Sequence, residues 1–478
     1  MVFPAPPTLL KLVSQGLVRD EGLNISALGD LPSPLFLPLF KEANIQRKAK
    51  MIKILVKYWP YLCLHIGLLI NKPNFQTFQA ILDGVDTWLK QKYRTRMCRL
   101  QVVHLNEYHA SSAMQDGRKG RDYLGETMLK KQQVEEGQSR CTTKRLRLFR
   151  DLSFMSSLHE DRHQTQLLQW AKGRKDFLHL CCEKLEIGAI EWPKVRDVLQ
   201  LLQPDSIKEL ELNTVGNLSK LAKFVPHISK MRTLQKLMLR CIFGTRTSTG
   251  EEKRNVTKII SLFPKLSSLQ HLTIDDVYFL TDNMKELFRC LEAPLVSLEI
   301  TLCQLSQADL KSFAQHWNYS QLKHLCLRGT TLTELDVNHL GDFLKNVTDN
   351  LQTLNLENCR MSDSHLSNLL PALIKCSQLT SINLYDNNIS KDALKNFLLH
   401  TTNLSLLTTE MYPAPLEVYN ESKYVEVDTF SQYCAELWET LMGVRQPNSV
   451  SFGSYSCYDC DEHYLYEDGD LIHCLCQE

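Results

Sequence analysis

The 478-residue sequence has almost no excess charge of either sign and no long uninterrupted hydrophobic run. It holds 55 Lys and Arg against 54 Asp and Glu, a formal net charge of +1. A chain balanced in this way has no whole-molecule attraction to nucleic acid or to an anionic membrane. The most apolar stretch, IKILVKYWPYLCLHIGLLI at 52–70, is broken by lysine, proline and histidine. It therefore predicts a packed helix pair rather than a membrane span.

Motifs of common catalytic chemistry are also missing. The sequence contains no G-x-x-x-x-G-K-[ST], no G-x-G-x-x-G, no H-E-x-x-H and no G-x-S-x-G. Its histidines are scattered singly, and a lone histidine on a surface strand is more often a surface residue than a general base. A binding protein is favoured over an enzyme.

Neither a signal peptide nor a regular cysteine framework is apparent. The N-terminus lacks the basic-then-apolar layout of a secretory signal. The 16 cysteines are scattered and often adjacent to leucine, which indicates small buried hydrophobic residues rather than disulfides. We therefore expect a globular, reduced, intracellular protein in the cytoplasm, the nucleus or both.

A repeat organises the middle of the chain. The frame L-x-x-L-x-L recurs seven times at intervals of 26 to 35 residues, as IKELEL (207–212), LQKLML (234–239), LQHLTI (269–274), LVSLEI (295–300), LKHLCL (322–327), LQTLNL (351–356) and LTSINL (379–384). Such a period is typical of leucine-rich repeats. Polar or cysteine side chains that can satisfy turn backbone follow the four most regular frames: Cys303, Thr330, Cys359 and Asn387. Serines are placed to cap the intervening helices at Ser306, Ser362 and Ser390.

The predicted fold is an α/β leucine-rich-repeat solenoid, or horseshoe, with a cap at each end. We expect a helical N-terminal cap at 1–95, the solenoid at 96–410 and an acidic, cysteine-containing C-terminal cap at 411–478. The polar stretch 107–140 predicts a mobile insertion, and 243–255 a smaller one. Repeat arrays need such caps to cover their terminal apolar layers.

The x positions of the frame face the concave surface of a horseshoe. They carry both signs of charge, so no single-sign groove for nucleic acid is predicted. A protein or peptide partner suits such a surface, although a solvated strand surface explains most single positions. The candidate substrate contacts are Arg240, Asp275, Glu299, Arg328, Glu357 and Tyr385.

One cluster near the C-terminus could bind a metal. Cys457 and Cys460 form C-x-x-C, and Cys474 and Cys476 form C-x-C. Four thiolates at this spacing can close a tetrahedral structural zinc site, with buried apolar cysteines as the alternative. A catalytic zinc would need an open ligand position as well.

The N-terminal segment combines an amphipathic helix with a proline-punctuated apolar run. TLLKLVSQGLV (8–18) places Leu9, Leu12, Val13 and Leu17 on one helical face. DLPSPLFLPLF (30–40) follows, and its prolines argue against an ordinary buried helix or central strand. The pair can dock on the first repeats as a cap, or on another protein.

These features together resemble the family named for the preferentially expressed antigen of melanoma, near its rodent oogenesin branch. The resemblance runs from PPTLLKLVSQGLVRDEGLNISAL and LPSPLFLPLF through ILDGVDTWL (81–89), RLQVVHL (99–105) and the repeats to MYPAPLEVYN (411–420) and the cysteine-rich tail. It implies a non-enzymatic substrate adaptor of a cullin-2-type RING ubiquitin ligase, with elongin B, elongin C, cullin-2 and a RING protein as partners.

The resemblance also implies two partner motifs. The elongin C box maps onto Thr8, Leu9, Val13 and Leu17, where Val13 departs from the small residue usual at that position. A frame shifted by one residue, Leu10, Ser14 and Val18, restores the small residue but loses the hydroxyl start. The cullin box maps onto Leu31, Pro32, Leu35 and Phe36, with Leu37, Leu39 and Phe40 turned inward as core.

Wider roles come with the resemblance. It implies repression of transcription, opposition to differentiation and apoptosis, promotion of proliferation and germline expression. The alternative function is a ligase-independent scaffold or transcriptional corepressor that uses the concave face alone.

Overall fold

The structure, a computed structural model, describes residues 9–19, 31–70, 72–90, 99–106, 145–155, 161–213, 218–243, 250–315, 319–422, 424–455, 464–467 and 469–472. The chain divides into two compact units. The first comprises residues 1–185 and 190–207, and the second comprises 186–189 and 208–478. No helix among the described residues is long and apolar enough to cross a bilayer.

The first unit contains seven helices among its described residues, five of them before residue 90. They are α1 (Leu9–Arg19), α2 (Phe36–Ile45), α3 (Ala49–Lys57), α4 (Ile66–Leu69), α5 (Phe75–Leu89), α6 (Arg162–Lys172) and α7 (Trp192–Leu199). The Asn74 side chain caps α5 by accepting from the Thr77 backbone NH at 2.9 Å. Gly84 lets α5 approach α3 closely, because a Cβ there would lie 2.7 Å from Val56 Cβ.

A parallel sheet completes the first unit. Its strands are β1 (Cys63–His65), β2 (Val102–His104), β3 (Leu146–Phe149) and β5 (Leu178–Cys181), in that order. Two further short strands are β4 (Leu152–Phe154) and β6 (Lys184–Ile187). The stretch 52–70 holds most of α3, then β1 and the single helical turn α4, so the predicted helix pair is wrong.

The second unit contains the predicted repeats. One strand per repeat lies beside the next in chain order: β7 (Glu209–Asn213), β8 (Lys236–Ile242), β9 (His271–Val277), β10 (Ser297–Thr301), β11 (His324–Cys326), β12 (Thr353–Asn355), β13 (Ser381–Asn383), β14 (Thr409–Pro413) and β15 (Val450–Gly453). Neighbouring strands from β7 to β15 are parallel. The antiparallel strands β16 (Leu465–Glu467) and β17 (Asp470–Ile472) end the sheet. The leucine-rich-repeat solenoid is confirmed.

Helices follow the strands of this unit. They are α8 (Leu218–Ile228), α9 (Gly250–Ile260), α10 (Met284–Cys290), α11 (Gln307–Phe313), α12 (Asn338–Lys345), α13 (Asp363–Leu373), α14 (Lys391–Leu399) and α15 (Val427–Val444). The expected serines are the N-caps of α11, α13 and α14: Ser306, Ser362 and Ser390. Leucines of the frame are buried beneath the helices, as alternation along a strand requires.

The four turn residues named from the sequence form a buried ladder. Each donates to the last frame carbonyl of the preceding repeat: Cys303 to Ile274 (3.6 Å), Thr330 to Ile300 (3.1 Å), Cys359 to Leu327 (3.1 Å) and Asn387 to Leu356 (2.8 Å). Burial raises the pKa of the Cys303 thiol to about 12, so the thiol keeps its proton and donates. The ladder ties repeats together and confirms the predicted backbone role.

The strands extend beyond the range 96–410. β1 lies before residue 96, β14 (Thr409–Pro413) includes residue 410, and β15 lies after it. The smaller insertion at 243–255 is partly helical, because α9 begins at Gly250. The larger one at 107–140 lies outside the described residues.

Candidate functional site

The first candidate surface is the outer side of α1. Ser14 and Val18 are buried where α1 packs against α2, and the Ser14 hydroxyl is satisfied by donating to the Leu10 carbonyl at 2.8 Å. Leu9 is 78% exposed, Leu12 50% and Val13 41%. Three large apolar side chains on one exposed helix side mark a surface that water solvates poorly.

This burial pattern separates the two possible elongin frames. Leu9 and Val13 of the first frame are exposed, and Leu17 is half-buried. Ser14 and Val18 of the shifted frame are 2% and 3% exposed, so a partner cannot reach them while α1 stays packed. Thr8 lies outside the described residues.

The proline-rich segment forms helical structure. Residues Ser33–Leu35 make a turn of 3-10 helix, and α2 begins at Phe36. Pro38 falls in the first turn of α2, where its missing NH has no intrahelical partner to lose. The expectation that the prolines exclude an ordinary buried helix is therefore wrong, because the prolines lie at or before the first turn of a helix. The Tyr61 hydroxyl donates to the Ser33 carbonyl at 2.9 Å and holds the segment in place.

Phe36 lies in the core. It is 2% exposed and meets Trp59 edge-on, with ring centroids 6.2 Å apart. Its assignment as a direct cullin contact is corrected on this ground, since a partner would have to unpack α2 to touch it. Pro32 is exposed, and Leu31 and Leu35 are half-exposed. Leu39 and Phe40 are fully buried, as expected, while Leu37 is only half-buried.

The second candidate surface belongs to the second unit. We name the open face the side of the β7–β14 sheet that carries the x positions of the frame. Its middle row runs in register through Glu211, Met238, Thr273, Glu299, Cys326, Asn355, Asn383 and Met411. A pocket of about 510 Å³ opens on it and is lined by four of the six predicted substrate contacts: Arg240, Asp275, Glu299 and Arg328.

Most charges on the open face are paired with each other. Arg240 lies 3.3 Å from Glu211 and 3.7 Å from Asp275. Arg328 lies 3.2 Å from Glu357, whose other oxygen accepts from the Asn383 amide at 2.8 Å. Such exposed pairs add little stability, but they fix the direction of each side chain.

Tyr385 marks the end of the open face. Its hydroxyl donates to the Ser451 hydroxyl. Burial, with the Ser451 hydrogen bond opposing it, raises the Tyr385 pKa to about 12, so the phenol is neutral and can donate at physiological pH. The sequence did not indicate this contact, because Ser451 lies 66 residues away in the chain.

The predicted zinc ligands Cys457, Cys460, Cys474 and Cys476 lie outside the described residues. Within the described ranges, no group of three or more His, Cys, Asp or Glu side chains is arranged to hold a metal ion. The described cysteines are free thiols, and most are buried. This fits the expectation of small buried hydrophobes for those residues.

Two family models match nearly the whole chain. The PRAME N-terminal domain matches residues 6–111, and the PRAME C-terminal domain matches 146–476. The chain is a member of the PRAME family. The resemblance found in the sequence is thereby confirmed.

Individual relatives agree. The chain is 71% identical to the mouse "Preferentially expressed antigen in melanoma-like protein 7" over 477 residues, covering 99% of each. It is 36% identical to mouse Oogenesin-3, covering 97% of this chain and 93% of that protein. It is 38% identical to human PRAME family member 12, covering 99% and 98%.

Solved structures give weaker likenesses. A Listeria monocytogenes internalin shares 18% identity over 49% of this chain and 71% of that chain, with a TM-score of 0.29. The yeast Rad7 and Elc1 complex matches with 12% identity over 87% of this chain and 90% of that chain, with a TM-score of 0.41. Superpositions this loose carry no functional argument.

Proposed function

We propose that this PRAME-family protein is a non-enzymatic substrate adaptor of a cullin-2-type RING ubiquitin ligase. The observation that carries the proposal is the exposed apolar side of α1, formed by Leu9, Leu12 and Val13. An amphipathic helix that leaves such side chains in water is suited to a hydrophobic groove on a partner. Elongin C, bound to elongin B, is the proposed partner.

The segment after α1 is the proposed cullin-2 contact. Leu31, Pro32 and Leu35 are accessible, and the 3-10 helix that follows Pro32 and includes Leu35 is anchored by Tyr61. Phe36 and Phe40 support this segment from inside by packing on Trp59. The proposed contact is therefore a small rigid surface and needs no disordered tail.

The proposed mechanism is positional. The open face holds a substrate protein, and the cullin brings a charged ubiquitin-conjugating enzyme to it. Holding both on one assembly raises the effective concentration of substrate lysines at the enzyme. The adaptor itself forms no covalent bond. We expect the protein to act in the cytoplasm or nucleus, where it could also repress transcription and oppose differentiation and apoptosis.

Binding to a purified elongin B–elongin C dimer tests the proposal. Changing Leu9→Glu together with Leu17→Glu is expected to weaken binding by roughly 100-fold or more, because two apolar anchors are lost. Ile45→Glu at the end of α2 is the matched control, since Ile45 is 71% exposed but lies off α1. Binding that survives the double change, or that Ile45→Glu equally abolishes, contradicts the assignment of the box.

A ligase-independent scaffold or transcriptional corepressor is the second candidate. The observation that favours it is the compactness of the second unit, which carries the open face apart from α1. In cells, the Leu9→Glu and Leu17→Glu variant distinguishes the two. The scaffold predicts unchanged transcriptional repression by this variant, and the adaptor predicts loss of substrate ubiquitination.

A further inference from the structure

Glu299 differs from Glu211, Asp275 and Glu357, the carboxylates of the open face that pair with an arginine. Its carboxylate accepts a hydrogen bond from the Thr273 hydroxyl at 3.0 Å, but it makes no ion pair with any described residue. Its neighbours across the register are Thr273 and Cys326, both uncharged. Glu299 therefore places a carboxylate in the pocket with no cation directly opposite it on either neighbouring strand.

The nearest histidines do not supply the missing cation. His271 and His324 flank Glu299 from the adjacent row, opposite Ser297. Burial, followed by the charge of Lys236, lowers the pKa of His271. Burial, followed by His271, lowers the pKa of His324. Glu299 acts in the opposite direction on both histidines, but the net change lowers each pKa and so disfavours the imidazolium that would pair with Glu299.

The two arginines that line the pocket are already engaged. Arg240 lies between Glu211 and Asp275, and Arg328 lies against Glu357. An acidic ligand would have to break these pairs to find a partner. A basic ligand meets a carboxylate that is partly buried, oriented by Thr273 and lacking a counter-ion. Charge complementarity thus selects a cationic occupant for the pocket.

We propose that the pocket around Glu299 takes a lysine or arginine side chain from a protein segment laid along the open face. The identification of that segment as part of a ubiquitination substrate rests on the proposed function. The preference of the pocket for a basic side chain does not depend on it. The pocket, at about 510 Å³, has room for one long side chain and part of the backbone that carries it. Polar groups of Thr301, Asn355 and Asn383 line the remainder.

A peptide library panned on the immobilised full-length protein tests the proposal. The probe is a pool of acetylated nonapeptides randomised at every position. Wild type is expected to enrich lysine and arginine over glutamate at one position. For the best peptide, Glu299→Gln is expected to weaken binding roughly tenfold, because a charge-assisted hydrogen bond is replaced by a neutral one.

A second variant and a matched control show whether the basic preference depends on the Glu299 carboxylate. Cys326→Lys places a cation directly across the register from Glu299, and it is expected to remove the basic preference by competing for the carboxylate. Glu209→Gln removes a carboxylate from the same face, opposite Lys236, and should leave the preference unchanged. No basic enrichment by wild type, or equal enrichment by Glu299→Gln or Cys326→Lys, overturns the proposal.

The outcome is separable from that of the adaptor proposal. Glu299→Gln should bind the elongin B–elongin C dimer as wild type does, and it should melt at the same temperature. If wild type fails to bind the dimer but still selects basic peptides, the adaptor function falls and the pocket assignment stands. If the dimer binds but no basic preference exists, the pocket assignment falls alone.

Discussion

A buried ion pair near the C-terminus gives the sharpest stability prediction. Glu410 on β14 is 1% exposed. The guanidinium of Arg445, the residue directly after α15, donates to both carboxylate oxygens of Glu410. One of these contacts, from Nη1 to Oε1, measures 2.6 Å. The Tyr412 hydroxyl also donates to Glu410 at 2.6 Å, and Arg445 Nε donates to Thr401 at 3.2 Å. The pair therefore ties the last long helix to the sheet.

Arg445→Met keeps an unbranched side chain, although a shorter one, and removes the charge and the donors of the guanidinium. Glu410 is then left buried, with the Tyr412 hydroxyl as its one remaining side-chain partner among the described residues. Burial, followed by the charge of Glu410, raises the pKa of Tyr412 well above its ordinary value, so the phenol remains a neutral donor. Removing one member of a buried pair typically costs about 3–5 kcal/mol, since the remaining charge stays desolvated. We expect a loss near the lower end, because Tyr412 remains.

Urea unfolding of the full-length protein, followed by circular dichroism, measures this loss. The double variant Glu410→Leu with Arg445→Met is the control, because it removes both charges. It is expected to be more stable than Arg445→Met alone, since no unpaired charge remains buried. If Arg445→Met lowers the free energy of unfolding by less than about 1 kcal/mol, the pair contributes no more than an exposed ion pair and the prediction is wrong. The prediction is also wrong if the double variant is less stable than Arg445→Met alone.

Three other predictions concern the turns and the tail. Asn387→Ala should cost about 2–3 kcal/mol in urea unfolding, because three hydrogen bonds to buried backbone are lost; Thr330→Val, which loses one, should cost about 1 kcal/mol. Gly329→Ala should lower the melting temperature, because φ is +69° and the new Cβ would lie 2.5 Å from Leu302; Gly443→Ala, in α15 with open space around it, should raise it. If a structural zinc site exists, elemental analysis should find one zinc per chain, and replacing its four cysteines by serine should remove the metal. Those cysteines are Cys457, Cys460, Cys474 and Cys476. Absence of zinc from the wild-type protein would contradict the site.

The repeats of the second unit could be predicted from the sequence because one period fixes several features at once. The frame sets the strand, its register and the turn residue, so Cys303, Thr330, Cys359 and Asn387 could be named in advance. The strand β1 could not be predicted in the same way. Three residues of strand beside a single helical turn give an apolar run that periodicity alone does not distinguish from a helix.

The candidate sites were predictable as motifs but not as surfaces. Phe36 fits an apolar-Pro-x-x-apolar pattern equally well whether it faces a partner or the core, and only its contact with Trp59 decides. The same holds for the two frames of α1, which differ by one residue in sequence but by about 100° around the helix axis, so that Leu10 of the shifted frame is exposed while Ser14 and Val18 are buried. A short motif therefore identifies the segment, and burial identifies the residues available for binding.

The open face adds a further step of this kind. Its mixture of charges indicates that no groove of a single charge sign is present. The sequence alone does not distinguish which of these residues contacts a partner. The ion pairs show that the two arginines are matched to carboxylates of neighbouring repeats, so they are positioned but engaged. Glu299 combines a place in the pocket, an orientation set by Thr273 and, among the described residues, no ion-pair partner. Specificity in this pocket is therefore expected to depend on the Glu299 carboxylate.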